Sequence, residues 1–197
     1  MAETLQSKLA VGVLWIAILL LFGLGANEVG SLAEARYERL NERSDAVLKL
    51  MDQGRYDEAI RIRLEENKAG LPDGDTFDGI ALIYLDRAKN DLTNRQRWVQ
   101  QASFYYDKAT TAAPKNPFVL ENAMDGYNRI GDYMEKGCPD YEKAIGFGDA
   151  AIALLQGTTV TIEGHRRPYP TQPIRESIEP RLKRIRGKVE AWCRKTS

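Results

Sequence analysis

From Asn27 to Gln156 the chain shows helical periodicity and no strand-like alternation, and nothing else in the sequence constrains the fold as strongly. Within Val29–Asp52 the residues Leu32, Ala35, Leu40, Val47, Leu48 and Met51 fall near helical spacing, and apolar stripes of the same kind continue downstream. An all-α class follows. The pattern breaks at 157–173. There Thr158-Thr159-Val160-Thr161-Ile162 can form a short strand, and Pro168, Pro170 and Pro173 oppose regular helix. A connection of about seventeen residues is long for a compact domain, and it reads either as a docking arm or as a draped connection. From 174 helical spacing returns. Ile178, Leu182, Ile185, Val189 and Trp192 form one stripe, predicting an amphipathic, basic closing helix over 174–197 that covers the last apolar face.

Internal similarity organises the region between. The run Leu50-Met51-Asp52-Gln53-Gly54-Arg55-Tyr56-Asp57-Glu58-Ala59-Ile60 resembles the centre of a tetratricopeptide repeat, with Gly54 at the turn, Tyr56 packed across it and Ala59 allowing two helices to approach closely. A second unit resembles the same family in Phe77, Ile80, Ala81 and Tyr84 on a first helix and Ala102, Tyr106, Ala109 and Pro114 on a second. A third does so in Tyr127, Gly131 and Tyr133, then Tyr141, Ala144 and Ala151. Insertions around Asn90–Asn94 and Gly137-Cys138-Pro139 separate the halves of the second and third units. Without them the period returns to about 34 residues. Ala59, Ala102 and Ala144 lie 43 and 42 residues apart. Two departures stand out: no Trp opens any unit, and Glu66 occupies a position where the family usually has Ala. The resemblance spans Asn41–Gln156 and implies a three-unit α-solenoid over 27–156, capped by the closing helix.

Ahead of it, residues Leu9–Ala26 (LAVGVLWIAILLLFGLGA) run for eighteen positions without charge. At 1.5 Å per residue this is about 27 Å, close to a bilayer's hydrocarbon thickness. The expectation is a tail and single transmembrane anchor helix over 1–26, embedded in the lipid bilayer through residues 9–26. The competing reading is a cleaved signal peptide with Gly23 and Gly25 near the cut. Lys8 on one side and Arg36, Arg39 and Arg43 on the other leave orientation nearly balanced.

Composition limits the chemistry. The 197 residues carry 28 Lys and Arg against 28 Asp and Glu, so the global basic field of a nucleic-acid binder is missing. Two Cys and one His are too few for a Cys/His zinc site, and they argue against a Cys/His or Ser/His nucleophile pair, in which His165 would have to serve alone. There is no phosphate-binding glycine loop, HExxH or CxxC, and no pair of carboxylates stands apart from ordinary helix-surface spacing. His165 reads as a loop residue. We therefore expect no enzyme activity, no cofactor and no metal. Cys138 and Cys193 approach bonding distance if the closing helix folds back over the third unit; otherwise they are two separate thiols. A bridge would favour an oxidising compartment, and on that ground the soluble domain is expected to be periplasmic or otherwise extracytoplasmic. Charge is divided along the chain. Residues 157–197 hold ten Lys and Arg against four Asp and Glu, while 27–90 hold ten against fourteen. The basic face of the closing helix is either a solvated surface or a site for an acidic partner or lipid headgroups.

Tetratricopeptide proteins hold a peptide or partner helix on the concave face lined by their first helices. Carried over by resemblance, that groove comprises Leu48, Met51 and Asp52 in unit one, Asp78, Leu82, Leu85 and Asp86 in unit two, and Glu121, Asn122, Asp125 and Arg129 in unit three. The family's Lys/Asn carboxylate clamp is missing, and an acid-lined groove with Leu and Met anchors suits a basic or amphipathic helix. A groove filled by the chain's own arm or N-terminal helix is the competing reading. The expected function is a membrane-anchored scaffold, an accessory or assembly subunit that contacts other subunits of a membrane complex. The alternative is a periplasmic chaperone-like module that binds client polypeptides near a translocon.

Overall fold

The computed structural model describes residues 45–134, 137–162 and 168–193. Chain contacts divide at Asp45, and the compact unit is Ala46–Ser197. It is helical throughout, apart from one small ribbon. The elements are α1 (45–52), α2 (Tyr56–Lys68), α3 (Asp73–Asn90), α4 (Arg95–Ala112), α5 (Pro117–Tyr133), α6 (Cys138–Leu154), β1 (Thr159–Val160), β2 (Tyr169–Pro170) and α7 (Thr171–Lys188), which continues into a π-helical turn, Val189–Cys193.

Local chemistry sets the boundaries. Gly54 adopts φ +70°, and its N–H bonds Met51 O at 2.9 Å while Arg55 N–H bonds Leu50 O at 2.8 Å. This is the Schellman closure that a left-handed residue permits, and it makes the expected turn between α1 and α2. Before α5, the Asn116 side chain accepts from Phe118 N at 3.0 Å and Pro117 occupies the first turn, where its missing N–H costs nothing. In the insertion after α3, Asp91 accepts from Asn94 N at 3.1 Å and from Trp98 Nε1 at 2.9 Å, so the extra residues are pinned to the start of α4.

Consecutive helices pack in order: α3 lies against α2, α4 and α5, while α5 lies against α4 and α6. Ala59 on α2, Ala102 on α4 and Ala144 on α6 are all fully buried. One apolar cluster joins Val47, Met51, Tyr56, Ala59 and Ile83. A larger one runs from α3 to Val189. Glu66 is buried too, at 1 % exposure, and is paired with Arg63 Nη1 at 2.9 Å one turn earlier on the same helix, which explains how a carboxylate is tolerated there.

The segment 157–173 is docked at its described ends. β1 pairs antiparallel with β2, Thr171 N–H bonds Thr158 O at 3.0 Å, Ile162 is buried, and Tyr169 meets Phe118 edge-on. Helix α7 starts at Thr171, earlier than the prolines suggested, because Pro173 falls in its first turn, where backbone N–H groups have no intrahelical partner to lose. Ile178, Leu182, Ile185 and Val189 are buried as expected, but Trp192 is 59 % exposed and meets Tyr141 edge-on. The π turn widens the spacing after Val189 and rotates Trp192 off the stripe. It also carries Cys193 to Cys138, and the two form a disulfide with Cα atoms 5.7 Å apart.

The expected membrane localisation is corrected here: among the described residues no helix is long and apolar enough to cross a membrane. Even the apolar α6 carries Asp140, Glu142, Lys143 and Asp149, and charges of that kind cost roughly 2.5–3.5 kcal/mol each at the centre of a spanning helix. Residues 9–26, on which the single-pass anchor rested, lie outside the described residues, as does His165.

Two substitutions test this packing. Ala102→Leu forces a larger side chain into a fully buried helix crossing and is expected to cost about 1–3 kcal/mol, read from denaturant unfolding; an unchanged midpoint contradicts the packing. Cys193→Ser opens a bridge across 55 residues, worth about 4 kcal/mol by loop entropy. Melting should then fall by roughly 10 °C for a domain of this size, and reductant should lower the melting of the parent protein but not of the variant.

Candidate functional site

The candidate residues lie on α1, α3 and α5, and the structure separates them into three groups. Met51 and Leu85 belong to the core. Leu48 (51 % exposed) and Asp52 face solvent on α1, while Asp86 on α3 accepts from the Tyr56 hydroxyl at 3.2 Å and from Asn90 Nδ2 at 3.2 Å. The third group, Asp78, Leu82, Asn122, Asp125 and Arg129, surrounds a cavity of about 110 Å³ between α3 and α5, with Tyr106 of α4 and Gly126 completing its lining. Leu82 is 41 % exposed.

Tyr106 and Gly126 were not among the expected groove residues, and together they shape the cavity. A Cβ at position 126 would collide with the Tyr106 ring and stand 2.8 Å from its hydroxyl, so only glycine admits the ring. Tyr106 is 2 % exposed, and burial holds its hydroxyl neutral by pushing its pKa far above the ordinary range. The signal available in the sequence was a glycine inside an otherwise regular helix, which often marks close approach by another element.

The acids of α5 are already engaged. Arg181 of α7 forms ion pairs with both Glu121 and Asp125, and Ser177 Oγ donates to Glu121 at 3.0 Å. Farther along, Lys188 Nζ donates to Asn128 at 2.8 Å and to Asp132 at 2.6 Å, and Arg186 pairs with Asp149 of α6 at 2.5 Å. Three cations on the basic face of the closing helix are therefore spent on holding it to α5 and α6. Desolvation raises the Asp125 carboxyl's pKa, and Arg181 opposes that shift.

Asp78 has no such cation. Its Oδ2 accepts from Asn122 Nδ2 at 2.6 Å across the α3–α5 gap, and its Oδ1 is buried with no hydrogen-bond partner. Burial pushes its pKa up to about 7; the Asn122 bond opposes the shift, Asp75 adds to it and Arg63 offsets it. Among the described residues, no cluster of three or more His, Cys, Asp and Glu side chains is placed to hold a metal ion. Comparison with protein-family models, with curated proteins and with solved structures gives no match.

The raised carboxyl makes stability depend on pH. Folding favours the protonated form of Asp78, so its contribution is fully present below the unfolded value of about 4 and is lost as pH rises towards 7. Asp78→Asn should therefore raise the melting temperature at pH 8, with the gain shrinking to nothing near pH 4. A gain independent of pH, or none at pH 8, contradicts the buried, ionising carboxylate.

Proposed function

We infer that the chain is a helical-repeat interaction scaffold of the tetratricopeptide-like kind, a short α-solenoid of three helix pairs closed by α7. In this reading it works by protein–protein contacts, as an accessory or assembly subunit of a larger complex, and catalyses no reaction. The observation that carries the proposal is the recurrence of one fully buried alanine on α2, α4 and α6 at intervals of 43 and 42 residues. Each helix pair then presents its first helix, α1, α3 or α5, in the same role. Between them these helices expose Leu48 and Leu82, with the carboxylates of Asp52, Asp78 and Asp86 on the same elements. Exposed leucines on acidic helices suit an amphipathic basic helix, whose apolar stripe covers the leucines while its cations meet the acids.

A photo-crosslinking residue placed at position 82 in the full chain, expressed in cells at native level, tests this. A discrete protein adduct is expected at position 82, and none at exposed position 111 on α4. Equal or absent labelling at the two positions overturns the proposal.

A further inference from the structure

We propose that the cavity between α3, α4 and α5 is a seat for one cationic side-chain head, the guanidinium or ammonium group of an Arg or Lys on the partner segment. This deepens the scaffold reading and rests on it.

The chemistry of the lining selects a cation. Asp78 supplies a carboxylate whose Oδ2 meets Asn122 across the gap, while its Oδ1 is buried with no hydrogen bond to spread the charge. Tyr106, a side chain almost wholly buried, lines the same cavity, and its hydroxyl oxygen can accept. Asn122 gives one of its two Nδ2 hydrogens to Asp78, and its carbonyl oxygen is an acceptor. Leu82 offers an apolar wall for the carbon stem of a Lys or Arg. The charges facing Asp78 are Arg63 from α2, Asp75 on α3, and Asp125 and Arg129 from α5. None of the cations lies within ion-pair distance of it, and Asp125 is already satisfied by Arg181. At about 110 Å³ the cavity has room for a guanidinium or ammonium head.

The chain shows the matching interaction one step along. Glu121 stands 43 residues after Asp78, the interval that separates Ala59 from Ala102, and Glu121 is met by a guanidinium from a basic amphipathic helix, Arg181 of α7. Asp78 occupies the corresponding place without its arginine. The raised carboxyl pKa adds a proton linkage: a bound cation favours the carboxylate, so binding releases a proton near neutral pH and weakens below it.

The test uses the full-length, nitrogen-15-labelled protein titrated with methylguanidinium chloride, methylammonium chloride and, as the anionic control, sodium acetate at constant ionic strength. Saturable shifts of the Asn122 side-chain amide and the Gly126 backbone amide are expected with the cations at pH 8. They should be roughly tenfold weaker at pH 6, following the ionised fraction of Asp78. Asp78→Asn should abolish them, and Tyr106→Phe should weaken them while keeping the fold. Absence of saturable shifts (a cavity that holds water only), equal shifts with acetate, or undiminished shifts in Asp78→Asn overturn the proposal. Should the probes fail while position 82 still yields its adduct, the cavity assignment falls and the scaffold reading stands. If both fail, neither survives.

Discussion

The fit of Tyr106 against the bare backbone of Gly126 sets the separation of α4 and α5, and most of the molecule inherits that distance. The ring shares the core with Ala102, Ala123 and Met124 on one side and stacks obliquely on Tyr127, 6.1 Å between centroids. Tyr127 then reaches Ser103, Asp107 and Lys143, so that a single hydroxyl links α4, α5 and α6. Because packed interiors transmit small displacements, a shift of α5 away from α4 would also part Asp78 from Asn122. The cavity and the core are products of the same contact.

The closing helix is held by two unlike devices. Along its length, Ile174, Ile178, Leu182 and Ile185 bury an apolar stripe while Arg181, Arg186 and Lys188 meet carboxylates on α5 and α6. At its end the disulfide to Cys138 fixes the π turn covalently. Partly exposed ion pairs contribute little individually, of the order of 0–1 kcal/mol each, and they specify register more than they supply stability. The bridge acts on the unfolded chain instead. The two therefore do not substitute for one another: one selects where α7 lies and the other limits how far its end can stray.

Much of this was legible in the sequence because it depends on local pattern. Gly54 marked a turn, the spaced alanines marked close crossings, and the 174–189 stripe marked a buried face. The stripe breaks at Trp192, where a π turn alters the helical period that the stripe assumes. The acids were harder to read. Periodicity puts Glu121 and Asp125 on one face of α5, but it cannot tell that Arg181, 60 and 56 residues away, will reach both. Likewise Asp78 and Leu82 could be placed on α3 without any sign that Tyr106 of α4 lies behind them. Faces follow from spacing along one helix, whereas partners depend on how far apart two helices settle.

That distinction has a consequence for how stability and recognition are divided. The contacts that hold the helix pairs together are apolar and fully buried: Ala59, Ala102, Ala144 and the tyrosines around them. The links between α3, α5 and α7 across the candidate face are polar and reach solvent: Asp78 to Asn122, Arg181 to Glu121 and Asp125, Lys188 to Asn128 and Asp132. Polar links of this kind can exchange one partner for another at small cost, since water or an incoming side chain replaces the bond that is given up. Core contacts cannot, because an opened apolar crossing leaves a void that nothing refills. A face assembled from exchangeable links on a core that does not exchange can therefore accept a ligand's charges without loosening the fold beneath it, and Asp78, the one carboxylate among these links left without a cation, is where such an exchange begins at least expense.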